Sequence, residues 1–158
     1  DVGIDRICNV AAAKLLVGTP AIVGDIGSAT NYDVVDENGA FIGGAIAPGI
    51  KVAAHNLIEK AALLNETAFI VPKSAVGKNT ETNLQSGIML GAIDVVDGMF
   101  TRIMGEMNWK KCNMIVTGGF GGLIAPHLNT KHNYLPNLTL DGIRIIYGKN
   151  SPSKIPRL

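Results

Sequence analysis

Three short runs bring acids, hydroxyls, an arginine and glycines together at spacings that suit an anionic ligand. The first is Gly24-Asp25-Ile26-Gly27-Ser28-Ala29-Thr30. Gly27 permits a sharp turn, and the amides and hydroxyls that follow can hold phosphate oxygens. Asp25, at the end of an apolar run, is placed to coordinate a hard cation. The other reading of this run is a polar hairpin with a turn-capping aspartate. The second run is Thr117-Gly118-Gly119-Phe120-Gly121-Gly122. Its glycines let a planar group such as a base or ribose lie against backbone, or else they make a tight strand-to-helix turn. It lacks the GxGxxG spacing of a dinucleotide fingerprint and the later ribose-binding acid. The third run is Gly3-Ile4-Asp5-Arg6 at a helix start. There a carboxylate can accept a hydroxyl proton beside a guanidinium that holds an anionic substrate. A helix-capping acid in a surface ion pair is the plainer alternative.

The surrounding pattern supplies the elements that must position these groups. Residues 3–17 read as a helix with Ile4, Cys8, Ala11 and Leu15 on one face, ended by Gly18 and Pro20. Residues 21–26 and 32–36 read as strands, and Asn38-Gly39 marks a hairpin into a returning strand over 41–46. A helix is expected over about 50–64, with Val52, Leu57, Ala61 and Leu64 inward, then a loop over 65–81. A long helical stretch, about 82–107, carries Met89, Met99, Met104 and Met107 as packing residues. Residues 114–116 form a buried strand, and a short helix is expected near 122–128. Residues 129–137 look turn-like, and Leu140, Ile143, Ile146 and Tyr147 mark a last helix. Trp109 beside Lys110-Lys111 reads as a solvated helix end, and His55 as a packed or surface histidine. The tail 151–158 should be loose. A hairpin followed by strand–helix alternation makes an α/β layered domain with a mixed sheet.

Composition excludes several classes of function. The 158 residues are 47% apolar and 17% charged, which argues against disorder. A net charge of +1 gives no electrostatic case for nucleic acid or a membrane surface. Two unpatterned cysteines, Cys8 and Cys112, and three scattered histidines give no disulfide scaffold and no transition-metal motif. Two such thiols suit a reducing cytoplasm. The apolar stretches are broken by Lys14, Pro20, Asp25, Pro48 or Asp94, so none reaches bilayer length.

Taken together and in order, these runs resemble the type III pantothenate kinases of the acetate and sugar kinase/Hsp70/actin superfamily. The landmarks are GIDR at 3–6, DIGSAT at 25–30, YDVVDENGAFIGGAIAPGI at 32–50, GKNTETNLQSGIMLG at 77–91, TGGFGG at 117–122 and LTLDGIRIIYGKN at 138–150. The resemblance implies an α/β, actin-like (ribonuclease H-like) domain with a mixed sheet flanked by helices. It identifies residues 1–150 as the C-terminal half of such an enzyme, with the N-terminal half and its phosphate loop absent.

The implied activity is transfer of the ATP γ-phosphoryl group to the primary hydroxyl of pantothenate, the opening step of coenzyme A synthesis, in the cytoplasm. Asp5 would be the proton acceptor, and Gly3, Ile4, Asp5 and Arg6 would line the pantothenate site. Thr80 would also contact pantothenate, and in the family homodimer its region helps complete the partner's site. Asp25 would bind a monovalent cation, potassium or ammonium. Ser28 would touch ATP, which carries a divalent magnesium ion, and Gly118, Gly119 and Phe120 would lie near the adenosine. Two positions depart from the family's phosphate turn, where Ser28 and Asn31 replace threonines. Serine keeps the hydroxyl, whereas Asn31 substitutes an amide. A homologue that keeps the scaffold for regulation or interaction, without catalysis, is the alternative.

Overall fold

The structure, a computed structural model, describes residues 2–60 and 67–150. Its frame is a five-stranded sheet of β1 (Ala21–Ile26), β2 (Ala29–Val35), β3 (Phe41–Pro48), β4 (Asn113–Thr117) and β5 (Asn133–Tyr134). The strand order is β3-β2-β1-β4-β5. β1 runs antiparallel to β2 and parallel to β4, so the sheet is mixed. The helices are α1 (Ile4–Leu16), α2 (Ile50–Lys60), α3 (Thr80–Gln85), α4 (Gly91–Glu106), α5 (Gly121–Ile124) and α6 (Leu138–Asn150).

Strand position explains strand composition. β1 is central and covered on both faces, so its residues are buried almost without interruption. β3 is an edge strand and alternates half-buried with exposed residues. Its register slips opposite Val34 and Val35, where Gly43 takes a positive φ of 133°. The turn between β2 and β3 carries Gly39 at φ 77°, and the Asp36 carboxylate accepts from the Ala40 N–H at 2.7 Å.

The two faces of the sheet carry different cores. On one face, α1 and α6 cover Ala21, Val23, Val35 and Ile115. On the other, Phe100 and Ile93 of α4 pack on Ile22, Ile26, Tyr32 and Val116. Phe100 meets Tyr32 edge-on at 6.1 Å. α1 and α6 approach so closely that a Cβ at Gly142 would collide with the Cys8 carbonyl. Gly142→Ala must push the helices apart, and it should cost about 1–3 kcal/mol, read as a lower urea midpoint. A midpoint equal to wild type would show that the helix pair has slack.

Several expectations need correction. On α1 the buried face is Cys8, Asn9, Ala12 and Ala13, whereas Ile4 and Leu15 are exposed. On α2, Val52 and Leu57 point outward, and Ile50 and Ala54 are the buried pair. Ala61, Leu64 and the tail 151–158 lie outside the described residues. The long helical stretch starts at Thr80 and passes through a π-helical segment, Ser86–Leu90, before α4. The turn-like segment 129–137 contains the short strand β5. Trp109 is not a solvated end, because its ring packs on the core. His55 is a surface residue. Met89 is buried, and Met99 and Met104 pack beside it, as expected.

Candidate functional site

The site forms where two parallel strands end. Asp25 of β1 lies opposite Thr117 of β4, so the DIGSAT and TGGFGG turns leave the sheet side by side. The Phe120 N–H donates to the Ile26 carbonyl at 2.8 Å and ties the turns together. Crevices at the carboxyl ends of parallel strands are common ligand sites. Glycine is required for close approach in the second turn, whereas at Gly27 of the first a Cβ would meet nothing nearer than 3.7 Å. Gly118 has φ 90°, and a Cβ there would lie 2.5 Å from Asp25 Oδ1 and 2.6 Å from the Ile26 nitrogen. Behind the first turn, a Cβ on Gly49 would strike the Gly27 and Ser28 carbonyls. Ser28 is exposed at the tip. The N–H groups of Ser28 and Gly119 make no backbone hydrogen bond among the described residues, which leaves two donors for an anion.

Asp25 is held from behind by a polar relay. Asn9 donates its amide to Asp25 Oδ2 at 2.9 Å, and Thr139 of α6 donates to Asn9 Oδ1 at 2.7 Å. The Thr139 hydroxyl therefore fixes which end of the Asn9 amide faces the carboxylate. Asn9 is fully buried, and both ends of its amide are satisfied. Burial pushes the Asp25 carboxyl above the usual carboxylate range; Asn9 opposes this, and the Asp5 charge adds to it. Asp5 is therefore close enough for its charge to bear on Asp25, and it bears on Asp33 as well. Asp5 sits in the first turn of α1, where the helix dipole favours a carboxylate. Gly3 leaves the room that the Asp5 carboxylate occupies, because a Cβ at position 3 would strike it.

Arg6 extends along β2 rather than into solvent. Its Nε donates to Asp33 Oδ1 at 2.6 Å, and its guanidinium carbon lies 5.3 Å from the Phe41 ring centroid. Asp25, Ser28 and the 118–120 turn thus stand at the ends of β1 and β4, with Asp5 near enough for its charge to reach Asp25, while Arg6 is anchored further along the sheet on Asp33, which pairs with Val23 of β1. Phe120 packs edge-on to Phe69 at 5.3 Å, so its ring is partly used in the core.

Thr80 is elsewhere. It opens α3, where Asn79 and Thr82 form a reciprocal capping box. Thr80 lies at a cavity of about 850 Å³ between α2 and the α3–α4 stretch, and none of its lining residues is charged. That cavity is also lined by Ile26 and Thr30 of the first turn, while Asp5, Arg6 and Asp25 are not among its lining residues.

Sequence reasoning passed over Asn9, Asp33 and Thr139. Asn9 is not among the residues Ile4, Cys8, Ala11 and Leu15 expected on the inner face of α1, and Thr139 is brought in only by the packing of α6. Asp33 did carry a signal: a lone acid inside the run Tyr32 to Val35 must be paired if that strand is buried.

A model of the type III pantothenate kinase family matches residues 1–102. The chain belongs to that family. It is 45% identical over 151 residues to the type III pantothenate kinase of Moorella thermoacetica, covering 96% of this chain and 59% of that one. It is 44% identical to the type III pantothenate kinase of a Parafrankia species, with the same coverage. The chain therefore spans 59% of the length of these curated relatives. Among solved structures, it is similar to a conserved protein from Campylobacter jejuni assigned to the Baf family of transcriptional activators. The TM-score is 0.67 at 24% identity, over 96% of this chain and 66% of that one. An archaeal actin homologue aligns with a TM-score of 0.55 at 16% identity, over 93% of this chain and 54% of that one. These likenesses show an actin-like fold, the architecture expected for a type III pantothenate kinase.

Proposed function

We propose that the full-length protein phosphorylates pantothenate with ATP, giving 4'-phosphopantothenate for coenzyme A synthesis in the cytoplasm. The observation that carries this reading is the convergence of Asp5, Arg6 and Asp25 beside two glycine turns, in a chain of this family. Asp5 orients the primary hydroxyl of pantothenate. The hydroxyl oxygen bonds to the γ-phosphorus, the bond to the β,γ-bridging oxygen breaks, ADP leaves, and the hydroxyl proton passes to Asp5. Gly3 and Ile4 complete the wall beside it. Arg6 holds the substrate carboxylate. Ser28, Gly118, Gly119 and Phe120 contact the nucleotide.

Asp25 suits a cation, because Asn9 engages only Oδ2, and Oδ1 accepts no hydrogen bond among the described residues. A potassium or ammonium ion held there, together with the magnesium that ATP carries, would offset phosphate charge.

Thr80 supports a homodimer. In the homodimer that the family resemblance implies, its pantothenate contact would fall to the partner's site. Gly87, Gly98 and Gly105 along the same helical stretch are exposed, with open space where a Cβ would stand. Helices pack closely through such small positions.

The test measures ATP-dependent phosphorylation of pantothenate by the full-length protein, then mixes two inactive variants. Asp5→Asn and Thr80→Tyr copies should each be weak. After random exchange their mixture should regain roughly a quarter of wild-type activity, since half the dimers are mixed and each mixed dimer keeps one intact site. Failure to recover activity would sink the shared site. Nucleotide binding by the wild type without phosphorylation would favour the regulatory alternative.

A further inference from the structure

We propose that Asp33 is a positioning residue that aims the free fork of Arg6 at the carboxylate of the substrate. The inference rests on the pantothenate reading and deepens it. Asp33 is fully buried in β2 and accepts from Arg6 Nε through Oδ1. Arginine has five N–H donors. Nε carries one of them, and the four on the two terminal nitrogens have no hydrogen-bond partner among the described residues. Phe41 stacks against the guanidinium, and at Gly44 a Cβ would lie 3.0 Å from Arg6 Nη2. The side chain is only 15% exposed, so it is held rather than free to sample solvent. A guanidinium anchored through Nε presents a planar pair of terminal nitrogens, the geometry that matches a carboxylate.

Asp33 is costly in the fold. Its second oxygen, Oδ2, is buried without a partner among the described residues, and burial pushes its carboxyl above the usual range despite Arg6. A clip between α1 and β2 needs no such acid, because apolar residues would pack the strand at lower cost. Orientation of Arg6 is what the acid provides.

The experiment compares pantothenate with pantothenol, which carries an alcohol in place of the carboxylate, using full-length wild type, Asp33→Asn and Phe41→Leu. Wild type should favour the acid. In Asp33→Asn, kcat/KM for pantothenate should fall about 30-fold, mainly through KM, because a misplaced positioning group costs up to a hundredfold. The KM for ATP and kcat/KM for pantothenol should change less than about threefold, since neither uses the terminal nitrogens of Arg6. Phe41→Leu should move discrimination in the same direction, by about fivefold, and it keeps the test open if Asp33→Asn does not fold. Equal losses on both substrates would make Asp33 a structural clip only and overturn the proposal. So would a wild type indifferent to the carboxylate. A wild type that phosphorylates neither compound fails at the earlier step and removes the pantothenate reading itself.

Discussion

Asp5→Asn in the full-length protein should lower kcat by about a hundredfold or more, with KM for pantothenate and ATP within about threefold. The substitution keeps shape and hydrogen-bonding reach but removes the proton acceptor. A free aspartate has a pKa of about 3.9, too acidic to deprotonate an alcohol in advance. Phosphoryl transfer passes through a loose transition state, so the proton can leave late, and the carboxylate acts mainly in that state. Loss of an interaction made only in the transition state appears in kcat. The same substitution removes the negative charge that raises the Asp25 and Asp33 carboxyls, so ground-state binding of anions should not suffer. Steady-state kinetics with both substrates varied provide the measurement. A kcat within threefold of wild type would remove Asp5 from the chemistry.

Gly118→Ala should be the most damaging single substitution in the nucleotide turns. An L-residue at φ 90° costs about 1–3 kcal/mol in backbone strain alone. The added methyl would also stand 2.5 Å from Oδ1 of the Asp25 carboxylate, which Asn9 holds, and 2.6 Å from the Ile26 backbone, which cannot give way. With the two costs combined, the melting temperature should fall by about 10 °C, and nucleotide affinity by tenfold or more as Asp25 is displaced. Gly119→Ala is the control for stability. A Cβ there meets nothing within 4 Å, so that variant should melt close to wild type. Thermal melts with and without ATP separate the two effects. Equal melting of the Gly118 and Gly119 variants would mean that the turns are not locked together as described.

The residue runs that carry the chemistry were visible before any coordinates. Turns need particular residues locally, so Asp25 to Thr30 and Thr117 to Gly122 announce themselves by composition. The strands beside them were legible for the same local reason: β1 is a continuous apolar run, and Asn38-Gly39 marks the hairpin. Helix faces were less legible. On α1 the expected inner residues Ile4 and Leu15 are exposed, while Asn9 is buried. Periodicity shows that a face exists, but on a short helix with several small residues it does not say which rotation wins. That choice belongs to α6, whose Gly142 admits the α1 backbone and draws the Asn9 side inward. The Leu57 and Val52 face of α2 failed for a related reason, since an apolar face can serve a surface as well as a core.

What the amino-acid sequence determined alone was family membership, the α/β class and the identity of the acids and glycines in the turns, because each is written in contiguous residues. What only the tertiary structure decided was which distant groups complete them. Thr139 reaches Asp25 through Asn9, Asp33 takes the Nε of Arg6, and Thr80 lines an uncharged cavity together with Ile26 and Thr30 of the first turn. Those pairings depend on the packing of α6 and the register of β2, which are long-range contacts. No local pattern encodes them, because their energy arises only when the burial of one element imposes a partner on another.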